Sequence, residues 1–121
     1  MSLGKAQKEF TRDIADLIEY ATDVLGYELT FGDAYRDPRV HGEYGEERKS
    51  YAASKSEHKR RLAVDFNLFI NGKYQPTTEA HRSLGEFWKG LRSDNIWGGD
   101  FHDADGHPKP DGNHYSRNYP N

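Results

Sequence analysis

The chain has 121 residues, of which 34% are hydrophobic and 13% aromatic, with a formal net charge of −3 and no cysteine. This length supplies one domain, and the lack of cysteine excludes disulfide staples and thiolate metal sites. No apolar run approaches the ~20 residues of a membrane span, and the N-terminus lacks the apolar stretch of a secretory signal. We therefore expect a chain synthesised in the cytoplasm without a signal peptide of its own and without a membrane partner.

Two segments have the apolar spacing of helices. The first runs from Lys5 to Leu25, and Gly26 follows it where a C-cap glycine belongs. The second begins at Thr77 and ends at about Arg92. Its apolar face consists of Ala80, Leu84, Phe87, Trp88 and Leu91.

Strand patterns lie between these helices. Residues 27–31 have β-forming residue types in an alternating pattern and are expected to form a strand. Residues 36–56 are rich in charge and glycine and are expected to be mostly loop. Residues 62–70 and 73–75 flank Asn71-Gly72, the strongest short hairpin pattern. The sequence therefore predicts an α+β fold for residues 1–121, with a small antiparallel sheet and flanking helices in a single domain.

The C-terminal tail, residues 101–121, has Ala104 as its only non-aromatic apolar residue. Burial is therefore not expected to order it, whereas a bound ion would. The insertion between Gly99 and Asp111 is expected either to fold over a site or to bind another ion. The aspartates available for that second ion are Asp100, Asp103 and Asp105.

Two short constellations carry the residue types of a catalytic metal site. His58 precedes Asp65 by seven residues, and Asp111 precedes His114 by three. Taken alone, the first pair favours a loop histidine and a solvent-facing aspartate over a metal site. Together the two constellations supply three ligands and one base for a zinc ion. His102 or His107 remains an alternative to His114, although Ala104 stands where His107 would need an acidic residue.

These residues resemble a family of zinc peptidases of bacterial cell walls. That family includes D-alanyl-D-alanine carboxypeptidases and phage endolysins that cut L-alanyl-D-glutamate bonds. The resemblance rests on Ser-x-His-x(6)-Asp followed by Asp-x-x-His, and on the elements Tyr35-Arg36 and Trp97-Gly98-Gly99-Asp100. The chain departs from the family at Arg61, where glycine is usual, and at Ser116, where an acidic residue is common.

The resemblance implies a role for each matching residue. The Zn²⁺ ligands would be His58, Asp65 and His114, with Asp111 as the catalytic carboxylate. Arg36 and Ser56 would contact the substrate. Two neutral imidazoles and one carboxylate leave the zinc ion with a net positive charge, which activates water for amide hydrolysis at neutral pH.

The function that the resemblance implies is zinc-dependent hydrolysis of an amide in the peptidoglycan stem peptide. The bond would be L-Ala-D-Glu or D-Ala-D-Ala, and the protein would be a monomeric phage-type endolysin that acts on the cell wall. One alternative is a catalytically inactive, zinc-bearing domain that binds cell wall or protein. A second alternative is a metal-dependent nuclease that uses the His-rich tail.

Other polar residues are expected to have ordinary roles. His41 and His81 lack partners at ligand spacing and are expected to be surface or boundary histidines. The basic run Lys59-Arg60-Arg61 is expected to be a solvated loop or to attract an anionic wall polymer. Because the net charge is −3, we do not expect a nucleic-acid partner.

Overall fold

The structure is a computed structural model that describes residues 1–32 and 57–120. Within these residues, the helices are α1 (Leu3–Glu19) and α2 (Arg82–Leu91). The strands are β1 (Glu28–Phe31), β2 (Ala63–Ile70), β3 (Lys73–Tyr74), β4 (Asn95–Trp97) and β5 (His114–Arg117). They form one antiparallel sheet in the order β1-β2-β5-β4, with β3 on β2. The predicted α+β fold is confirmed, while the loop predicted over residues 36–56 lies outside the described residues.

Helix α1 begins at Leu3, two residues before the predicted start at Lys5, and stops at the predicted Gly26. The Ser2 hydroxyl accepts a hydrogen bond from the Lys5 N–H at 3.1 Å, as an N-cap does. A π-helical turn, Tyr20–Val24, extends the helix, and Gly26 with φ +70° ends it in the left-handed conformation. Neither helix in the described ranges is long and apolar enough to cross a membrane.

The hairpin of β2 and β3 turns at Asn71 and Gly72, as predicted. Both residues have positive φ, 52° and 76°, which a two-residue type I′ turn requires. Side chains alternate along β2, so that Val64, Phe66 and Leu68 are buried in the core. Asp65 therefore lies on the opposite face of the sheet.

The C-terminal tail is ordered differently from the prediction. Strand β5 lies between β2 and β4, and its residues Tyr115, Ser116 and Arg117 are all buried. The Arg117 guanidinium is 3.0 Å from the Glu9 carboxylate of α1. The expectation that burial would not order the tail was wrong, because long-range strand pairing buries a segment of low hydrophobicity.

The hydrophobic core lies between the two helices and one face of the sheet. Trp88 of α2 is fully buried, and its indole N–H lies 3.0 Å from the carbonyl oxygens of both Ile96 and Ser116. One side chain thus ties α2 to β4 and β5. The other buried hydrophobic residues of the core cluster are Ala6, Phe10, Leu17, Ala21, Leu62, Val64, Phe66, Leu68, Leu84, Trp97 and Tyr115.

Arg61, which replaces the glycine usual in the resembling family, connects the 3-10 turn Glu57–Arg60 to β2 with a φ of 60°. The left-handed conformation costs a non-glycine residue about 1–2 kcal/mol. Glycine avoids this cost but has more entropy to lose on folding. We expect the free energy of unfolding of Arg61→Gly, measured by urea denaturation, to exceed that of Arg61→Ala by about 1 kcal/mol.

Arg61→Ala is the matched control for this prediction. It removes the guanidinium but keeps a Cβ atom in the left-handed region. Glycine should be the more stable of the two variants. Equal stabilities would show that the side chain, rather than the backbone conformation, sets the energy of this turn.

Candidate metal centre

Three side chains from separate segments meet on one face of the sheet. The Asp65 Oδ1 atom lies 3.2 Å from His58 Nε2 and 3.3 Å from His114 Nδ1. The two imidazole rings are 5.2 Å apart between centroids and nearly perpendicular, at 73°. One nitrogen or oxygen atom from each residue lies within 4.8 Å of the others, so the group could hold a metal ion.

The strand register brings these residues together. Asp65 on β2 is directly opposite His114 on β5, and cross-strand neighbours of this kind project from the same face. His58 comes from the 3-10 turn that precedes β2. The Leu62 N–H donates to the Glu57 carbonyl at 2.9 Å, which closes this turn against the start of the strand.

The centre is largely shielded from solvent and its carboxylate is ionised. The His58 side chain is 1% exposed, Asp65 15% and His114 12%. Burial tends to raise the pKa of Asp65, but the nearby His114 and His58 outweigh it and lower that pKa from 3.8 to about 2. Asp65 is therefore a carboxylate at neutral pH, the form in which it can bind a metal.

The residues fit a tetrahedral zinc ion. Ligand atoms about 2.0–2.1 Å from such an ion lie about 3.3 Å apart, close to both distances measured from Asp65 Oδ1. Within the described residues, this oxygen is buried and has no hydrogen bond of acceptable geometry. A buried carboxylate oxygen between two imidazoles is costly without a cation to bind. With no cysteine in the chain, the donor set consists of nitrogen and oxygen.

A close-packed loop holds His114 in place. The His114 N–H donates to the Asp111 carbonyl at 3.1 Å, and the Asp111 N–H donates to the Gly98 carbonyl at 2.8 Å. A Cβ atom at Gly98 would lie 2.0 Å from the Asp111 oxygen and 2.7 Å from the His114 Cβ. Only glycine at position 98 permits this approach. The Phe101 ring packs against the other side of His114, with centroids 5.1 Å apart.

Trp97 anchors the same loop from the core side. Its indole N–H donates to the Gly112 carbonyl at 2.7 Å. A Cβ atom at Gly85 or Gly99 would lie 2.1 or 2.3 Å from the indole ring, so two glycines form the slot that admits it. The Trp-Gly-Gly element therefore positions the segment from Asp111 to His114, by the close backbone approach that its glycines predict.

The remaining site residues of the sequence prediction are placed differently. Asp111 is an exposed residue three positions before His114, and it is not part of the three-residue group that could hold an ion. Its backbone lies beside the centre through the hydrogen bonds described above. Arg36 and Ser56, predicted to contact substrate, lie outside the described residues, as does His41.

The insertion contributes none of its histidines to this centre. His107 groups with Asp103 and Asp105 on the exposed surface, and His102 pairs with Pro108 in an isolated bridge. Asp100, expected as a ligand of a second ion, is instead 2.8 Å from the Lys89 ammonium. His114, rather than His102 or His107, therefore completes the group with His58 and Asp65.

His81 is a residue whose position the sequence did not predict. It is 2% exposed, so the expectation of a surface or boundary histidine was wrong. Its Nδ1 atom lies 2.8 Å from the hydroxyl oxygen of Tyr115, the residue that follows His114. Burial lowers the pKa of His81 from 6.5 to about 4, so the ring is neutral at pH 7. The two residues are 34 positions apart and no local pattern links them.

No protein-family model and no curated protein sequence match this chain.

Proposed function

We propose that this protein is a zinc-dependent peptidase that hydrolyses an amide bond in the peptidoglycan stem peptide. The observation that carries the proposal is the convergence of His58, Asp65 and His114, with Asp111 three residues before the last of them. Three of the residues that carry the resemblance to cell-wall peptidases, His58, Asp65 and His114, form this group. Either an L-Ala-D-Glu or a D-Ala-D-Ala bond is compatible with this arrangement.

Zinc is the metal favoured by the donor set. Catalytic zinc sites use three protein ligands drawn from histidine and acidic residues, and they keep a further position open. In such a site, bound zinc supplies Lewis-acid activation of the attacking water and of the scissile carbonyl. His58 and His114 would bind as neutral imidazoles, and Asp65 would supply the one negative charge.

Asp111 is proposed as the general base and acid. Its carboxylate would accept a proton from the water that attacks the carbonyl carbon. It would then deliver that proton to the amine nitrogen as the C–N bond breaks. The backbone hydrogen bonds that join Asp111 to Gly98 and His114 hold the Asp111 backbone beside the centre.

Substrate orientation is assigned by resemblance to two residues outside the described part of the chain. Arg36 would pair with a substrate carboxylate, and Ser56 would hydrogen-bond to the same peptide. These two roles remain predictions.

Digestion of purified peptidoglycan tests the proposed function. Zinc-reconstituted protein should release either peptide fragments with new amino termini or free D-alanine, identified by mass spectrometry, and a chelator should stop the release. Plasmid DNA incubated in parallel should remain intact. Intact peptidoglycan with zinc bound would contradict the proposal and favour the inactive binding domain. Cleaved DNA would favour the nuclease.

A further inference from the structure

A polar cavity adjoins the loop that carries His114. It has a volume of about 230 Å³ and is lined by residues 74–78 and 110–113 together with His81. One wall is therefore the segment that contains Asp111 and leads directly into the metal centre. The two walls meet where the Gly112 N–H donates to the Thr78 hydroxyl at 3.2 Å.

The walls fit closely at this meeting point. A Cβ atom at Gly112 would lie 2.5 Å from the Thr78 Cα atom. Only glycine at position 112 therefore permits this close contact between the two walls.

His81 lines this cavity and is 2% exposed. Within the described residues, its side chain makes one hydrogen bond, through Nδ1 to the Tyr115 hydroxyl. The Nε2 atom is then the one left for a ligand in the cavity that His81 lines. If the Tyr115 hydroxyl donates to Nδ1, Nε2 carries the proton and is a donor.

The described lining offers hydrogen-bond donors and acceptors, and Asp111 is its acidic residue. The described lining residues include the hydroxyls of Thr77 and Thr78 and the side-chain amides of Gln75 and Asn113. They include no lysine or arginine, so nothing in this wall selects an anion. A peptide group, with one N–H and one C=O, matches such a surface.

We propose that this cavity is a substrate subsite that holds a backbone amide of the stem peptide, with His81 Nε2 as its hydrogen-bonding partner. This inference rests on the proposed function, because it assumes that the ligand is the peptide cleaved at the metal centre. A chain whose scissile bond lies beside Asp111 would continue past that residue into the cavity. The subsite would therefore contribute to substrate binding rather than to the chemical step.

Kinetics of His81→Asn on a synthetic stem peptide that contains both candidate bonds test the subsite. Asparagine keeps a polar atom near the position of Nδ1 but has none at the position of Nε2. Loss of one hydrogen bond to a buried partner, about 1–1.5 kcal/mol, corresponds to a roughly 10-fold rise in KM. The zinc content and kcat should stay near those of the wild type. The matched control is His107→Asn, which changes an exposed histidine and should leave KM unchanged. A fall in kcat with zinc loss and an unchanged KM would overturn the proposal.

Nitrogen NMR of the wild-type protein tests the subsite even if His81→Asn does not fold. The assigned His81 Nε2 resonance should shift when the same peptide is added to the zinc-loaded protein at pH 7. An unmoved resonance at saturating peptide would overturn the subsite, whether or not the peptide is cleaved. A shift without cleavage would support the subsite and contradict the peptidase activity, so the two failures are distinguishable.

Discussion

Replacing Asp111 with asparagine is expected to lower the rate of stem-peptide hydrolysis by about 10²- to 10⁴-fold while zinc remains bound. Proton transfer by a positioned side chain contributes rate enhancements of this size. Asp111 lies outside the group of His58, Asp65 and His114, so its amide variant retains every proposed ligand. Activity on the stem peptide and zinc content, measured on the same preparation, check the prediction.

The matched control is Asp105→Asn, which changes another exposed carboxylate of the same tail. Its activity should equal that of the wild type. Loss of zinc from Asp111→Asn would mean that this carboxylate is a ligand instead of the base. Full activity of Asp111→Asn would show that the Asp111 carboxylate has no role in the mechanism.

His114→Ala is expected to abolish specific zinc binding and the stabilisation that zinc provides. A ligand that binds only the folded protein stabilises it by about 2.7 kcal/mol at a concentration of 100 times its Kd. Added zinc should therefore raise the melting temperature of the wild type and leave that of His114→Ala unchanged. Thermal unfolding with and without zinc, followed by metal analysis of dialysed protein, measures both effects.

His107→Ala provides the comparison for this experiment, because His107 belongs to the exposed group with Asp103 and Asp105. It should respond to zinc as the wild type does. The opposite pattern, with zinc stabilisation lost in His107→Ala and kept in His114→Ala, would show that zinc binds to the exposed group instead.

The sequence predicts those elements whose stability is encoded locally. The apolar spacing of α1, the glycine at position 26 and the Asn71-Gly72 turn are short-range patterns, and each forms the expected structure. Strand β5 was not predicted because His-Tyr-Ser-Arg has no apolar alternation. Its burial arises from pairing with β2 and β4 and from the ion pair of Arg117 with Glu9. Such long-range contacts leave no trace in a local window.

In the candidate site, too, the sequence predicted what short motifs encode and did not predict what long-range contacts determine. The spacing of His58 and Asp65, joined to that of Asp111 and His114, indicated a group that the strand register brings together. The burial of His81 was not predicted because its partner, Tyr115, is 34 positions away in the sequence and lies near it only in the folded protein. The sequence contained the two residues, but no motif relates a histidine before one helix to a tyrosine in a distant strand.

Anomalous X-ray diffraction from crystals of the zinc-loaded protein tests the central claim most directly. A single strong peak should lie about 2.0–2.2 Å from His58 Nε2, Asp65 Oδ1 and His114 Nδ1. A fully loaded crystal whose zinc peak lies elsewhere, with any of these three atoms outside bonding distance, would contradict the account.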